Sequence, residues 1–185
     1  GGFHGGDPKD PKFQELLVRW FEYGTFCPVM RLHGYRWPLQ PQYGTTGGAT
    51  CVSGAPNEVW SYTDQVCEIL SDYLRLRERM LPYITELMEE AHEKGTPVMR
   101  PLFYDFPEDK ESWNVETEYM FGPKVLVKPI TDADARETDV YLPGGASWTN
   151  AWTGETFEGG QKVHVAAPIE QIPLFTRDGY KLPMK

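Results

Sequence analysis

Two helical stripes and a change of character after Tyr119 predict the fold class: an α/β region followed by an all-β region. The first stripe is Phe13, Leu16, Leu17, Trp20 and Phe21, and the second runs through Glu58 to Lys94. Both repeat apolar residues at spacings of three and four, which puts them on one face of a helix. Beyond Tyr119 come short strand-like runs: Lys124 to Ile130, Thr138 to Leu142, Ala146 to Trp152, Lys162 to Ala166 and Ile172 to Arg177. Pro and Gly turns separate them roughly every ten residues, the pattern of an antiparallel β-sandwich. The change falls between Phe106 and Phe121, so the chain divides into residues 1–110 and 111–185.

Residues 1–10, GGFHGGDPKD, read as a loop leading into the first helix. Phe3 in that loop is either an apolar anchor or a platform at the rim of a site. Asp10 is the expected N-cap, with Pro11 at the first helical position, where a missing N–H costs nothing. Gly24 and Pro28 end the helix. Val29-Met30-Arg31-Leu32-His33 then alternates apolar and polar, so on a strand Arg31 and His33 would share a face. A guanidinium fork beside an imidazole suits hydrogen bonding to hydroxyls or to a carboxylate. The plain alternative is an Arg paired with an acid and a His satisfied in the core.

Residues 35–57 mix Pro, Gly and aromatics without periodicity and read as a long loop. In the second stripe, Val66, Leu70, Tyr73, Leu74, Leu81, Ile84, Leu87, Met88 and Ala91 mark the apolar face, and Arg75, Arg77, Glu78 and Arg79 a charged surface beside it. Pro82 interrupts the pattern and predicts a kink or two abutting helices near Arg79 to Leu81. Lys94 and Gly95 supply a basic last turn and a left-handed cap. Val98 to Phe103, bounded by prolines, reads as a buried strand, and the acidic stretch Asp105 to Glu118 has room for a short helix.

Of the 185 residues, 40% are hydrophobic and 14% aromatic, a globular composition. The net charge of −9 and the lack of a Lys/Arg cluster argue against a nucleic-acid partner. No apolar run approaches the length of a membrane span. The three cysteines, Cys27, Cys51 and Cys67, fit neither a disulfide framework nor a zinc-ligand spacing. No cofactor is called for, and His4 has no second metal ligand at a recognisable spacing. The opening Gly1-Gly2-Phe3 reads as if cut from a longer protein, so compartment is left open.

The order of these signals resembles glycoside hydrolase family 31, the α-glucosidases and α-xylosidases. The matching pieces are GGF at 1–3, RWFEYGTFCPVMRLHG at 19–34 and RLRERMLPYITELMEEAHEKGTPVMRPLF at 75–103. EYMFGPKVLVKPI at 118–130, VYLPGGASWTNAWTGE at 140–155 and IPLFTRDGY at 172–180 continue the series. The resemblance implies the C-terminal portion of a (β/α)₈ barrel followed by a β-sandwich, with Val98 to Leu102 as the eighth barrel strand. The loops at 1–8 and 31–57 would then line the active-site mouth, where barrel enzymes keep their chemistry.

The family's enzymes are retaining glycosidases that use two aspartates, about 5 to 5.5 Å apart. Both precede the GGF segment in the family, so no catalytic residue is expected here. Asp7 and Asp10 lie in a loop and at a helix cap and are not promoted to the role. Binding residues do carry over. His33 matches a histidine that hydrogen-bonds sugar hydroxyls, Phe3 the aromatic near the leaving-group side, and Arg31 a motif arginine, either a ligand contact or a brace for one. The implied partners are an oligosaccharide or small glycoside and the remainder of the same enzyme. A second reading makes the chain a non-catalytic carbohydrate-binding or packing module. It requires two or more of Trp113, Trp148 and Trp152 to share one exposed flat face.

Overall fold

The computed structural model describes residues 6–32 and 37–184. Helix α1 spans Pro11–Thr25, with Asp10 accepting from the Lys12 N–H at 3.0 Å and Pro11 in the first turn. Leu17, Val18 and Phe21 are buried. Leu16 and Trp20, expected on the same buried face, are instead about half exposed, at 52% and 55%. The apolar stripe is wider than the surface that α1 presents to its neighbours.

Residues 37–62 contain two 3₁₀ turns, Gly47–Thr50 and Val59–Ser61, and an antiparallel bridge between Gln40 and Ser53. Helix α2 covers Asp64–Arg79 and α3 covers Leu81–Lys94, so the interrupted stripe forms two abutting helices that meet at Met80. Pro82 falls in the first turn of α3, where its missing N–H leaves no bond unmade. Gly95 closes α3 in the left-handed conformation at φ 70°.

The strands are β1 (Met99–Arg100), β2 (Tyr119–Phe121), β3 (Val125–Val127), β4 (Glu137–Leu142), β5 (Ser147–Asn150), β6 (Thr156–Glu158), β7 (Gln161–Ala166) and β8 (Leu174–Arg177). A short helix α4 (Leu102–Asp105) and a 3₁₀ turn (Lys110–Trp113) lie between β1 and β2. Six strands form one sheet in the order β1-β2-β3-β8-β5-β6, and β4 and β7 form a second. Every strand pair in both is antiparallel.

That pairing corrects one expectation. Val98 to Leu102 was assigned to the parallel barrel, but Met99 and Arg100 pair antiparallel with Phe121 and Met120. A barrel strand of that class has parallel neighbours. The segment is therefore an edge of the six-stranded sheet, and that sheet begins before residue 110.

The six-stranded sheet is apolar on both faces because it has a partner on each. Met120, Leu126, Trp148 and Phe175 join Val140, Leu142, Val163 and Val165 of the second sheet in one core. Their alternating neighbours Phe121, Val125, Val127 and Leu174 join Leu17, Phe21, Leu70, Tyr73, Tyr83 and Leu87 of the helices in another. The turn between β2 and β3 needs Gly122 for two reasons. Its φ is 59°, and a Cβ there would lie 2.5 Å from Leu87 Cδ2.

A buried polar cluster ties α1 to the later part of the chain. Arg19 donates to the carbonyls of Ala167 (2.7 Å), Ala135 (3.1 Å) and Pro168 (3.2 Å), and to Glu22 Oε2 at 3.0 Å. Tyr73 Oη on α2 lies 3.1 Å from Glu22 Oε1 and accepts from the Ile172 N–H at 3.0 Å. Burial pushes the Glu22 carboxyl up to about 8, against the lowering influence of Arg19.

Candidate functional site

The family resemblance leads one to expect three binding residues around the end of α1 and the loop before it. Of these, Phe3 and His33 lie outside the described residues. Arg31 is exposed, and among the described residues Val29 to Leu32 have no strand partner. The expected strand, with its shared Arg31/His33 face, is thus not formed by the described part of that segment. Arg31 lines a small cavity of about 170 Å³ with Trp20, Tyr23, Cys27 and Met30. Among the described residues its guanidinium makes no ion pair.

Gly6, Asp7 and Pro8 share with Trp37 and Pro38 an open depression of about 620 Å³. Asp7 and Asp10 do the local work the sequence assigns them, since Asp7 Oδ1 accepts from the Lys9 N–H at 2.9 Å and Asp10 caps α1.

A cavity of about 840 Å³ lies elsewhere. Leu16, Trp20 and Tyr23 of α1 form one wall, and Met99, Phe103 and Trp113 the other. The indole of Trp113 stacks on Phe103 with centroids 4.6 Å apart. Arg19, Arg100, Glu116 and Glu118 also line this groove.

The three tail tryptophans do not form a common platform. Trp148 is fully buried and donates to Pro143 O at 2.9 Å. Trp152 is half-buried and donates to Ile172 O at 2.7 Å, while Trp113 is exposed in the groove just described. Among the described residues no group of His, Cys, Asp and Glu could hold a metal ion, and no helix is long and apolar enough to cross a membrane.

Two family models match the chain in series. The glycosyl hydrolase family 31 TIM-barrel domain matches residues 1–87, and the family 31 C-terminal domain matches residues 95–182. The chain belongs to glycosyl hydrolase family 31. An α-xylosidase from Saccharolobus solfataricus is 37% identical across 100% of this family 31 chain, which spans 23% of that relative. An α-glucosidase from Bacillus thermoamyloliquefaciens is 36% identical over 89% of the chain, 19% of its own length. Among solved structures, a family 31 α-xylosidase from a soil metagenome, complexed with xylose, is 48% identical and superposes with a TM-score of 0.90. That match covers 98% of this chain and 27% of the other. The chain thus spans less than a third of these relatives, taking in part of a TIM-barrel domain and a C-terminal domain.

Sequence reasoning passed over the groups that hold α1 in place. Arg77, read as part of a charged surface, donates to three backbone carbonyls at the end of α1. Arg19 and Glu22 were not singled out either. The available signal was spacing: Val18, Glu22 and Thr25 recur at helical intervals on a buried face, so a carboxylate there must find partners.

Proposed function

We propose that this chain is the C-terminal part of a retaining α-glycosidase that hydrolyses α-glucosides or α-xylosides, with its catalytic aspartates outside this chain. The observation that carries the reading is that both halves match consecutive domains of one glycosidase family. The relatives named above supply the two substrate classes. A retaining reaction needs two carboxylates about 5 to 5.5 Å apart, one to attack the anomeric carbon and one to protonate the leaving oxygen. Asp7 and Asp10 are engaged in a turn and a cap, which supports placing that pair elsewhere.

On this reading His33 hydrogen-bonds sugar hydroxyls, Phe3 lies on the leaving-group side, and Arg31 contacts the ligand or braces one that does. The meeting of the 6–8 loop with Trp37 and Pro38 supports a shared mouth for the two segments. The two packed antiparallel sheets support a β-sandwich that backs the last part of a (β/α)₈ barrel. We set the junction of the two parts near Gly95 rather than at residue 110, on the strength of the α3 cap and the pairing of β1. The apolar groove lined by Trp20, Tyr23, Phe103 and Trp113 is then a face for the rest of the same enzyme to cover.

The test is His33→Ala in the full-length enzyme, assayed on an aryl α-xyloside and an aryl α-glucoside. Losing one hydrogen bond in a dry sugar pocket, with its partner left unpaired, should lower kcat/KM by the equivalent of roughly 1.5–3 kcal/mol. An unchanged kcat/KM on the better substrate refutes the assignment of His33.

A further inference from the structure

The last turn of α1 contains no basic residue, and its end is where the chain leaves the helix toward residues 29–32. Carbonyls at a helix C-terminus lack intrahelical partners and carry the negative end of the dipole. Here the carbonyls of Thr25 and the cap residue Phe26, and those of Cys27 and Pro28 just beyond the helix, are taken up by side chains from elsewhere. Arg77 of α2 donates through Nη1 to Thr25 O (2.6 Å) and Cys27 O (2.9 Å), and through Nη2 to Pro28 O (3.1 Å). Tyr119 of β2 donates to the one between, Phe26 O, at 3.0 Å. One planar fork and one hydroxyl therefore fix the backbone at residues 25, 26, 27 and 28. Pro28, the last of them, adds its own restraint on φ.

We propose that Arg77 and Tyr119 are positioning residues for the sugar-binding segment. They hold the exit of α1, the backbone at residues 25–28 from which the chain runs on toward Arg31 and His33. The inference rests on the reading of His33 given above. A guanidinium is required for this because it bonds several carbonyls in fixed directions, which the single ammonium of Lys cannot reproduce. Tyr119 brings the six-stranded sheet into the same grip, so the later part of the chain takes part in setting the geometry of the mouth.

A double-mutant cycle in the full-length enzyme tests this, using Arg77→Lys, His33→Ala and the combination, with kcat/KM on an aryl α-glycoside as the readout. Misplacing a binding group by about an ångström costs on the order of tenfold to a hundredfold, and Arg77→Lys alone should fall in that range. In the His33→Ala background the same change should cost less than about threefold, because most of what it positioned is gone. A role confined to stability lowers the folded fraction by the same factor in both backgrounds, so additive losses overturn the proposal. So does an unchanged kcat/KM in the Arg77→Lys enzyme. If His33→Ala alone is without effect, the reading of His33 fails and this inference fails with it. Tyr119→Phe deletes only the hydroxyl, and serves in the same cycle if Arg77→Lys does not fold. A smaller loss, again suppressed by His33→Ala, is expected from it, and an additive one overturns the proposal.

Discussion

Glu22→Gln separates two states of the buried cluster on α1. The substitution keeps the size of the side chain and removes its ionisation. Glu22 is completely buried, and its carboxyl is pushed up to about 8 from an ordinary value of 4.5, by burial first and against the pull of Arg19. Between those two values the folded protein keeps a proton that the unfolded chain has released. Stability must therefore fall as pH rises through that window and level off above about 8, where both states are ionised. The slope approaches about 1.4 kcal/mol per pH unit near the middle of the window. For a cooperative unit of this size that is roughly 3–5 °C per pH unit in Tm. The Gln variant lacks this dependence, so its Tm relative to wild type should climb steadily between pH 5 and 8. Thermal unfolding of both proteins, followed by tryptophan fluorescence across that range, gives the comparison. A constant difference, or one that moves in favour of wild type as pH rises, refutes the argument. It would mean that the ionised carboxylate paired with Arg19 is the form the fold selects.

The other predictions concern packing and activity. Trp148→Ala removes a fully buried indole in contact with Phe106 and should cost about 3–5 kcal/mol, read as a drop in denaturant midpoint. Gly122→Ala forces a Cβ against Leu87 at a positive φ and should destabilise by more than about 1 kcal/mol in the same assay. The chain made alone should release no phenol from aryl α-glycosides at an enzymatic rate, since a retaining reaction needs a carboxylate pair. Turnover above about 1 s⁻¹ would place a catalytic carboxylate pair inside it.

Much of the fold was legible because its signals are local. Asp10 and Pro11 start α1, Pro82 divides the second stripe, and Gly95 ends α3, each through chemistry within one turn of the residue concerned. The strands β3, β4, β5, β7 and β8 announced themselves by composition and flanking turns. The three-residue β2 and β6 were missed because Tyr119–Phe121 and Thr156–Glu158 are too short for alternation to register. The attachment of β1 was misread because a short apolar run does not say which sheet it joins. At the candidate site, the alternation from Val29 to His33 was too brief to establish a strand without a partner. Arg77 looked like surface because its acceptors are backbone atoms some fifty residues away, which no local pattern encodes.

The two-sided burial of the six-stranded sheet has a consequence for how its strands find their places. In most antiparallel sheets a slip of one residue throws apolar side chains into water, and that penalty selects the right alignment. Val125, Leu126 and Val127 are all buried, so β3 has no wrong face and a slipped alignment would still be apolar throughout. Its alignment has to be enforced from the ends. Arg177 N–H bonds to Lys124 O at one end, Lys128 N–H bonds to Pro173 O at the other, and Gly122 admits no neighbour in its place beside Leu87. Errors in those flanking residues would leave a well-buried strand that is one step out of line, a misfolded state that hydrophobicity alone does not correct.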